Sequence, residues 1–130
     1  MKRILYGVLT VLLIVVVGGC RSAPGDGEVI IRPAPIHEVR VNIAESFPPQ
    51  VFVYIKGGLA DGCTTFHELK HSKSDGHNVV IEVTVQRPQG VACAQVYGFF
   101  ERNINLGSDF TSGETYTIRV NDKTATFIMQ

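Results

Sequence analysis

The stretch Val79-Val80-Ile81-Glu82-Val83-Thr84-Val85-Gln86 decides the fold class. Val79, Ile81, Val83 and Val85 fall on every second position, so an extended chain turns all four to one side and Val80, Glu82, Thr84 and Gln86 to the other. That is a strand with one buried face. The residue choice elsewhere agrees: after Cys20 the chain has 12 Val, 9 Ile and 8 Thr against 3 Leu and no Trp. Beta-branched side chains lose rotamer freedom in a helix and pack well on a pleated surface. No segment after Cys20 repeats its apolar residues every 3.6 positions. With 130 residues, the length of one domain, the expectation is an all-β fold.

Working upstream, Ser74-Asp75-Gly76 fits a three-residue hairpin loop with glycine in the left-handed position. Lys73 then faces His77, which sets His71 opposite Val79, Leu69 opposite Ile81 and His67 opposite Val83. Phe66 and Leu69, three apart, cannot share one face of a regular strand, so residues 64–72 need a bulge near His67 or apolar cover on both sides. Residues 51–56 are apolar on both faces and read as a central, covered strand. Gly57-Gly58 is expected to stop it, and Asp61-Gly62 to turn the chain into Cys63. Val39, Val41 and Ile43 alternate with Arg40, Asn42 and Ala44 in a first strand, ended by Ser46-Phe47-Pro48-Pro49. Downstream, residues 96–104, 115–120 and 124–129 make three more strands, with 107–113 as a loop. Asn121-Asp122 tolerates positive φ in a tight turn, setting Ile118 opposite Ala125 and Tyr116 opposite Phe127.

The N-terminal 19 residues have a different character. Lys2 and Arg3 precede an apolar run over residues 4–17, followed by Gly18-Gly19-Cys20. Fourteen residues at about 1.5 Å each are short for a bilayer span and suit the apolar region of a secretory signal. Val17-Gly18-Gly19-Cys20 resembles the lipobox of bacterial lipoproteins. That resemblance implies cleavage before Cys20, acylation of its thiol, and a lipid anchor on the extracytoplasmic face of a bacterial membrane in the cell envelope. An ordinary signal peptide, or an uncleaved anchor with Cys20 incidental, are the alternatives. With Cys20 lipidated, Cys63 and Cys93 remain, an even pair in an oxidising compartment, and a structural disulfide is expected. Closing a loop of about 31 residues contributes roughly 3–4 kcal/mol on the chain-entropy account. Residues 20–35, with Pro24, Pro33 and Pro35, read as the lipidated cysteine and a tether, although the apolar segment from Glu28 to Ile31 could instead pair with a sheet edge. The division is then 1–19 signal, 20–35 tether, 36–130 domain.

About seven short strands in that domain point to a two-sheet sandwich. Gly113-Glu114-Thr115-Tyr116-Thr117-Ile118-Arg119-Val120-Asn121 resembles the closing hairpin of bacterial immunoglobulin-like domains, which implies an immunoglobulin-like β-sandwich. The stretch from Glu45-Ser46-Phe47-Pro48 through Gly62-Cys63-Thr64 is similar to a segment recurring in uncharacterised bacterial lipoproteins. Neither resemblance brings an activity.

Function therefore rests on individual residues. Twelve basic and twelve acidic side chains cancel, without a run of like charge, which argues against a nucleic-acid partner. No G-x-S-x-G, H-E-x-x-H or phosphate-binding glycine loop is present, so no enzyme and no cofactor is expected. The expectation is a non-catalytic binding or adhesion module using loops at one end of the sandwich, with Leu59 and Phe110 as candidate ligand contacts. The alternatives are an envelope accessory protein pairing with a protein partner through a sheet edge, a loop-presenting protease inhibitor, and a weak metal binder using His71 and His77 across the hairpin mouth. Against the metal reading stands a solvated hairpin end beside Lys70 and Lys73.

Overall fold

The computed structural model describes residues 27–130; the expected signal segment and Cys20 lie outside them. Within them the chain forms eight strands and no helix: β1 (Val29–Pro33), β2 (Ile36–Ala44), β3 (Gln50–Leu59), β4 (Thr65–Asp75), β5 (Asn78–Pro88), β6 (Gly98–Gly107), β7 (Thr115–Val120) and β8 (Lys123–Ile128). Strands β2, β3 and β6 make a three-stranded antiparallel sheet with β3 in the middle, and the other five make the second sheet around β5. The all-β sandwich is what the alternation requires. Val79, Ile81, Val83 and Val85 on β5 and Val53 and Ile55 on β3 are buried in one core cluster with Phe100, Ile118 and Val120. Full burial of each such side chain contributes about 1.5–3 kcal/mol. A second cluster of Val51, Tyr116 and Met129 closes the far end of the sandwich, under Phe110 and Phe127.

Strand β5 is the hub of its sheet. One edge is paired along its length with β4. The other is shared by two strands laid end to end: β1 pairs antiparallel with Thr84–Pro88, and β7 pairs parallel with Asn78–Ile81. Between them, at Val83, neither strand completes the ladder alone. Asn121 fills that gap. Its backbone sits at φ 50°, a left-handed conformation that Asn adopts more readily than bulkier residues. Its amide N–H donates to the Ile81 carbonyl at 3.1 Å. Its side-chain oxygen accepts from the Val83 N–H at 3.0 Å, and its Nδ2 donates to the Ala34 and Val83 carbonyls at 2.8 and 2.9 Å.

The last hairpin has the expected register, with Ile118 opposite Ala125 and Tyr116 opposite Phe127. The bulge near His67 is present as a register shift between Phe66 and Glu68, and both Phe66 and Leu69 pack on the core. Four expectations change. The count is eight strands, because residues 29–33 pair with the edge of β5, the alternative to the tether reading of this segment, so the sheet begins at Val29 and not at residue 36. The β4–β5 turn is tighter than three residues. The Asp75 carboxylate accepts from the Asn78 backbone and side-chain nitrogens at 3.0 and 2.7 Å, pairing Asp75 with Asn78 and sliding the ladder so that Lys73 faces Val79, His71 faces Ile81 and Leu69 faces Val83. Gly57-Gly58 does not end β3. A Cβ on Gly57 would overlap the Phe100 ring and one on Gly58 would overlap Tyr97, so the pair lets aromatic rings lie on the strand from both faces. Finally, β6 runs later than expected, through Gly107.

Asn121→Ala removes three side-chain hydrogen bonds and leaves the Val83 N–H without its acceptor. The expected loss is about 2–4 kcal/mol, read as a lower urea midpoint. Asn121→Gly relieves the backbone term and should recover about 1 kcal/mol of it; a loss below 0.5 kcal/mol for both, on the order of a neutral surface change, contradicts the bridging role.

Candidate functional site

Leu59 and Phe110 do not share an end of the sandwich. Leu59 is the last residue of β3, opposite Gly98 where β6 begins; the Phe110 loop follows Gly107, where β6 finishes opposite Val51. Both side chains are half-buried and packed against the core. Phe110 stands edge-on to Tyr116 and Phe127, with ring centroids 4.9 and 5.7 Å apart. The Lys73 ammonium lies 4.2 Å over its outer face and also pairs with Asp109 at 3.1 Å. The loop is thereby clamped as a cap on the second core cluster, which corrects the picture of one loop-borne site.

The two candidate metal ligands are likewise separated by the tighter turn. His71 faces Ile81 in the ladder, and His77 sits in the turn. His77 stacks on Tyr116 at 5.3 Å and its Nε2 is 3.2 Å from a Glu114 carboxylate oxygen. Among the described residues, no group of three or more His, Cys, Asp or Glu converges as a metal site.

The most organised polar constellation lies at the other end, around the Cys63–Cys93 disulfide, whose Cα atoms are 5.6 Å apart. Asp61 anchors it. One carboxylate oxygen accepts from the Cys63 and Thr64 backbone N–H groups at 3.1 and 2.9 Å and from the Thr64 hydroxyl at 2.8 Å; the other accepts from Arg87 Nε at 2.6 Å. Hydrogen bonding from the Arg87 guanidinium, then from the Thr64 hydroxyl, holds the Asp61 carboxyl down at about 2 against the opposing effect of burial. The Asp-Gly turn thus serves backbone geometry, as its residue types suggest. Gly62 N–H donates to the Ala94 carbonyl at 2.9 Å, so the disulfide and this bond dock the connection between β5 and β6 against the end of β3.

That connection carries the least expected surface of the domain. Val91, Val96, Tyr97 and Phe99 are 48%, 66%, 48% and 54% exposed. Around Gly58, His37, Tyr97 and Phe99 form a mutual edge-to-face cluster with centroids 5.4–5.8 Å apart, and His37 Nε2 and the Tyr97 hydroxyl are 2.6 Å apart. Lys56 Nζ lies 4.7 Å over Phe99. Sequence reading assigns Tyr97 and Phe99 to a strand and passes over His37. A signal for them exists: residues 88–100 are the longest stretch without Asp, Glu, Lys or Arg in the described chain, although they connect two strands and connections are ordinarily polar.

The outer face of the three-stranded sheet continues from this cluster. Tyr54 faces Arg40 and Asn103 in the ladder, Phe52 faces Asn42 and Asn105, and Lys56 faces Glu38 and Glu101. Phe52 and Tyr54 are half-buried, although no strand lies over them. Arg40 covers the Tyr54 ring at 4.5 Å and pairs with Glu38 at 2.8 Å. Desolvation, together with the Glu101 carboxylate, raises the Tyr54 hydroxyl above its ordinary value. This face thus interleaves half-buried rings with carboxamides and paired charges, setting apolar area beside hydrogen-bond donors and acceptors.

The ORF11 beta-sandwich domain family matches residues 53–129. An uncharacterised 10.2 kDa protein in the HgiCIIM 5′ region of Herpetosiphon aurantiacus is 47% identical over 87 residues, which cover 67% of this chain and 90% of that protein. A second, in the HgiBIM 5′ region of the same organism, is 47% identical over 77 residues, 59% of this chain and 92% of the relative. No solved structure matches.

The Asp61 network gives a defined acid dependence. A carboxyl held below its unfolded value of 3.8 contributes stability above that pH and loses it as pH falls toward about 2. Urea midpoints measured across this window should fall with acidification, and Asp61→Asn should flatten the fall while lowering the midpoint at neutral pH. An unchanged slope in the variant contradicts the assignment.

Proposed function

The chain belongs to the ORF11 β-sandwich domain family, and on that premise we propose that it is a non-catalytic binding module, tethered through Cys20 to the extracytoplasmic face of a bacterial membrane and presenting the outer face of its three-stranded sheet to a ligand. One observation carries the tether: Cys63 is bonded to Cys93, so of the three cysteines Cys20 alone is left over. It follows an apolar run with a basic start and is preceded by Val17-Gly18-Gly19. Lipid attachment gives that odd thiol a use, and several acyl chains together hold a protein firmly where one is marginal. The aromatic and carboxamide face around Phe52 and Tyr54 supports the binding half of the reading, since half-buried rings with no strand over them leave apolar area that a partner can cover.

Docking through a sheet edge is a second reading. It is favoured by β2 and β6, each of which pairs with β3 alone in its sheet and has its other edge open.

Mass spectrometry of the mature N-terminus should find Cys20 first and carrying thioether-linked lipid. Cys20→Ala should lose acyl label and move the protein from the membrane to the soluble fraction; retained label overturns the tether. Photo-crosslinkers placed at Phe52 and Tyr54 in cells should form adducts that one at Glu82, on the other sheet, does not. If these give none, and proline substitution along β2 or β6 dissolves the envelope complex, the edge reading replaces the face.

A further inference from the structure

The disulfide end is also where the chain leaves for its N-terminus. Gln89 N–H donates to the Glu28 carbonyl at 2.8 Å, and Val29 faces Pro88 in the ladder. The first residue of β1 therefore emerges beside the connection that exposes Val91, Val96, Tyr97 and Phe99. From Cys20 to Glu28 is eight residues, a reach of at most about 28 Å even when fully extended. An anchor at Cys20 consequently keeps this end of the sandwich within about 28 Å of the bilayer, while Phe47 and the Phe110 cap lie at the opposite end. The surface so placed has the composition of an interfacial contact: thirteen consecutive uncharged residues, two aromatic rings with a polar hydroxyl on one, and Lys56 alongside for the headgroup layer. It is also preorganised, because the disulfide, the Gly62–Ala94 bond and the Asp61–Arg87 pair hold the connection rigid.

We propose that residues 89–99 are a second membrane contact, in which Val91, Val96, Tyr97 and Phe99 enter the interfacial layer of the bilayer that carries the anchor, so that the domain stands on its disulfide end. The proposal rests on the Cys20 tether. It supplies what a flexible lipid tether lacks, a fixed orientation, with the outer face of the three-stranded sheet held sideways and accessible.

The test uses residues 20–130, which contain all eight strands and both core clusters. Cys63 and Cys93 being bonded, Cys20 is the free thiol and couples to a maleimide lipid in vesicles of phosphatidylethanolamine and phosphatidylglycerol in equal parts. The chain has no Trp, so Val96→Trp and Phe47→Trp are single reporters at opposite ends. The expected result is a blue-shifted, lipid-quenched emission from position 96 and a water-like emission from position 47, whose parent side chain is fully exposed. Untethered, the Val96→Trp protein should partition into the same vesicles, and adding Tyr97→Ser with Phe99→Ser should weaken partitioning about tenfold or more. Both rings are half exposed, and an unchanged urea midpoint shows that these variants remain folded. Equal shifts at both reporters, or none at position 96, overturn the contact. Because the tether here is chemical, a negative result counts against the patch alone, whereas an unlipidated Cys20 in cells counts against the anchor alone.

Discussion

The structure depends on how one strand's edge is divided between two others. Strand β5 is buried along one face and bonded along both edges, but the strands on its second edge arrive from opposite ends of the chain and in opposite orientations. A backbone amide left unpaired at their junction would be costly in so dry a place. The Asn121 carboxamide meets that cost by offering an acceptor and two donor hydrogens to three backbone groups. Its left-handed backbone simultaneously reverses β7 into β8. One residue thus sets the height at which β7 and β1 both stop, and with it the position of the Pro33–Pro35 crossing to the other sheet.

The two ends of the sandwich are built differently. At one, Phe110, Tyr116 and Phe127 close the core with rings under a lysine clamp, an apolar seal that leaves the outer loop polar. At the other, Phe100 and Phe66 fill the core and the closure outside them is covalent and ionic: the disulfide, the Asp61 hydrogen bonds and Arg87. The glycine pair of β3 accommodates one ring on each side of the strand, Phe100 in the core against Phe66 and Tyr97 on the outer side, where Phe99 also faces solvent.

Much of the fold was legible because alternation is a direct readout of which side is dry. The β5 pattern, the β7–β8 register and the bulge in β4 all follow from where Val, Ile, Phe and Leu must point. The disulfide followed from cysteine parity. What escaped was decided by single side chains acting on backbone. Asp75 tightened the hairpin by bonding Asn78, which no periodicity reports, and that shift separated His71 from His77. Gly57-Gly58 reads locally as a strand stop and becomes a strand interior only once Phe100 and Tyr97, some forty residues away, are known to lie on it. Leu59 and Phe110 looked displayed because they fall at strand ends; their burial depends on neighbours from other strands. The aromatic cluster around His37 joins residues sixty apart, a distance no local pattern spans.

The divided edge of β5 has a consequence in time. The carboxamide that satisfies Val83 comes from a residue 38 positions later, and the same group reaches back 87 positions to Ala34. A chain emerging N-terminus first can form the β4–β5 hairpin and the β1–β5 ladder early, but the Val83 N–H has no acceptor until residue 121 has appeared, and the parallel β5–β7 pairing must close a long loop before it yields any contact. Such a topology folds late and as a unit. The sandwich therefore closes only when residues from nearly the whole described chain, Ala34 to Asn121, are present together.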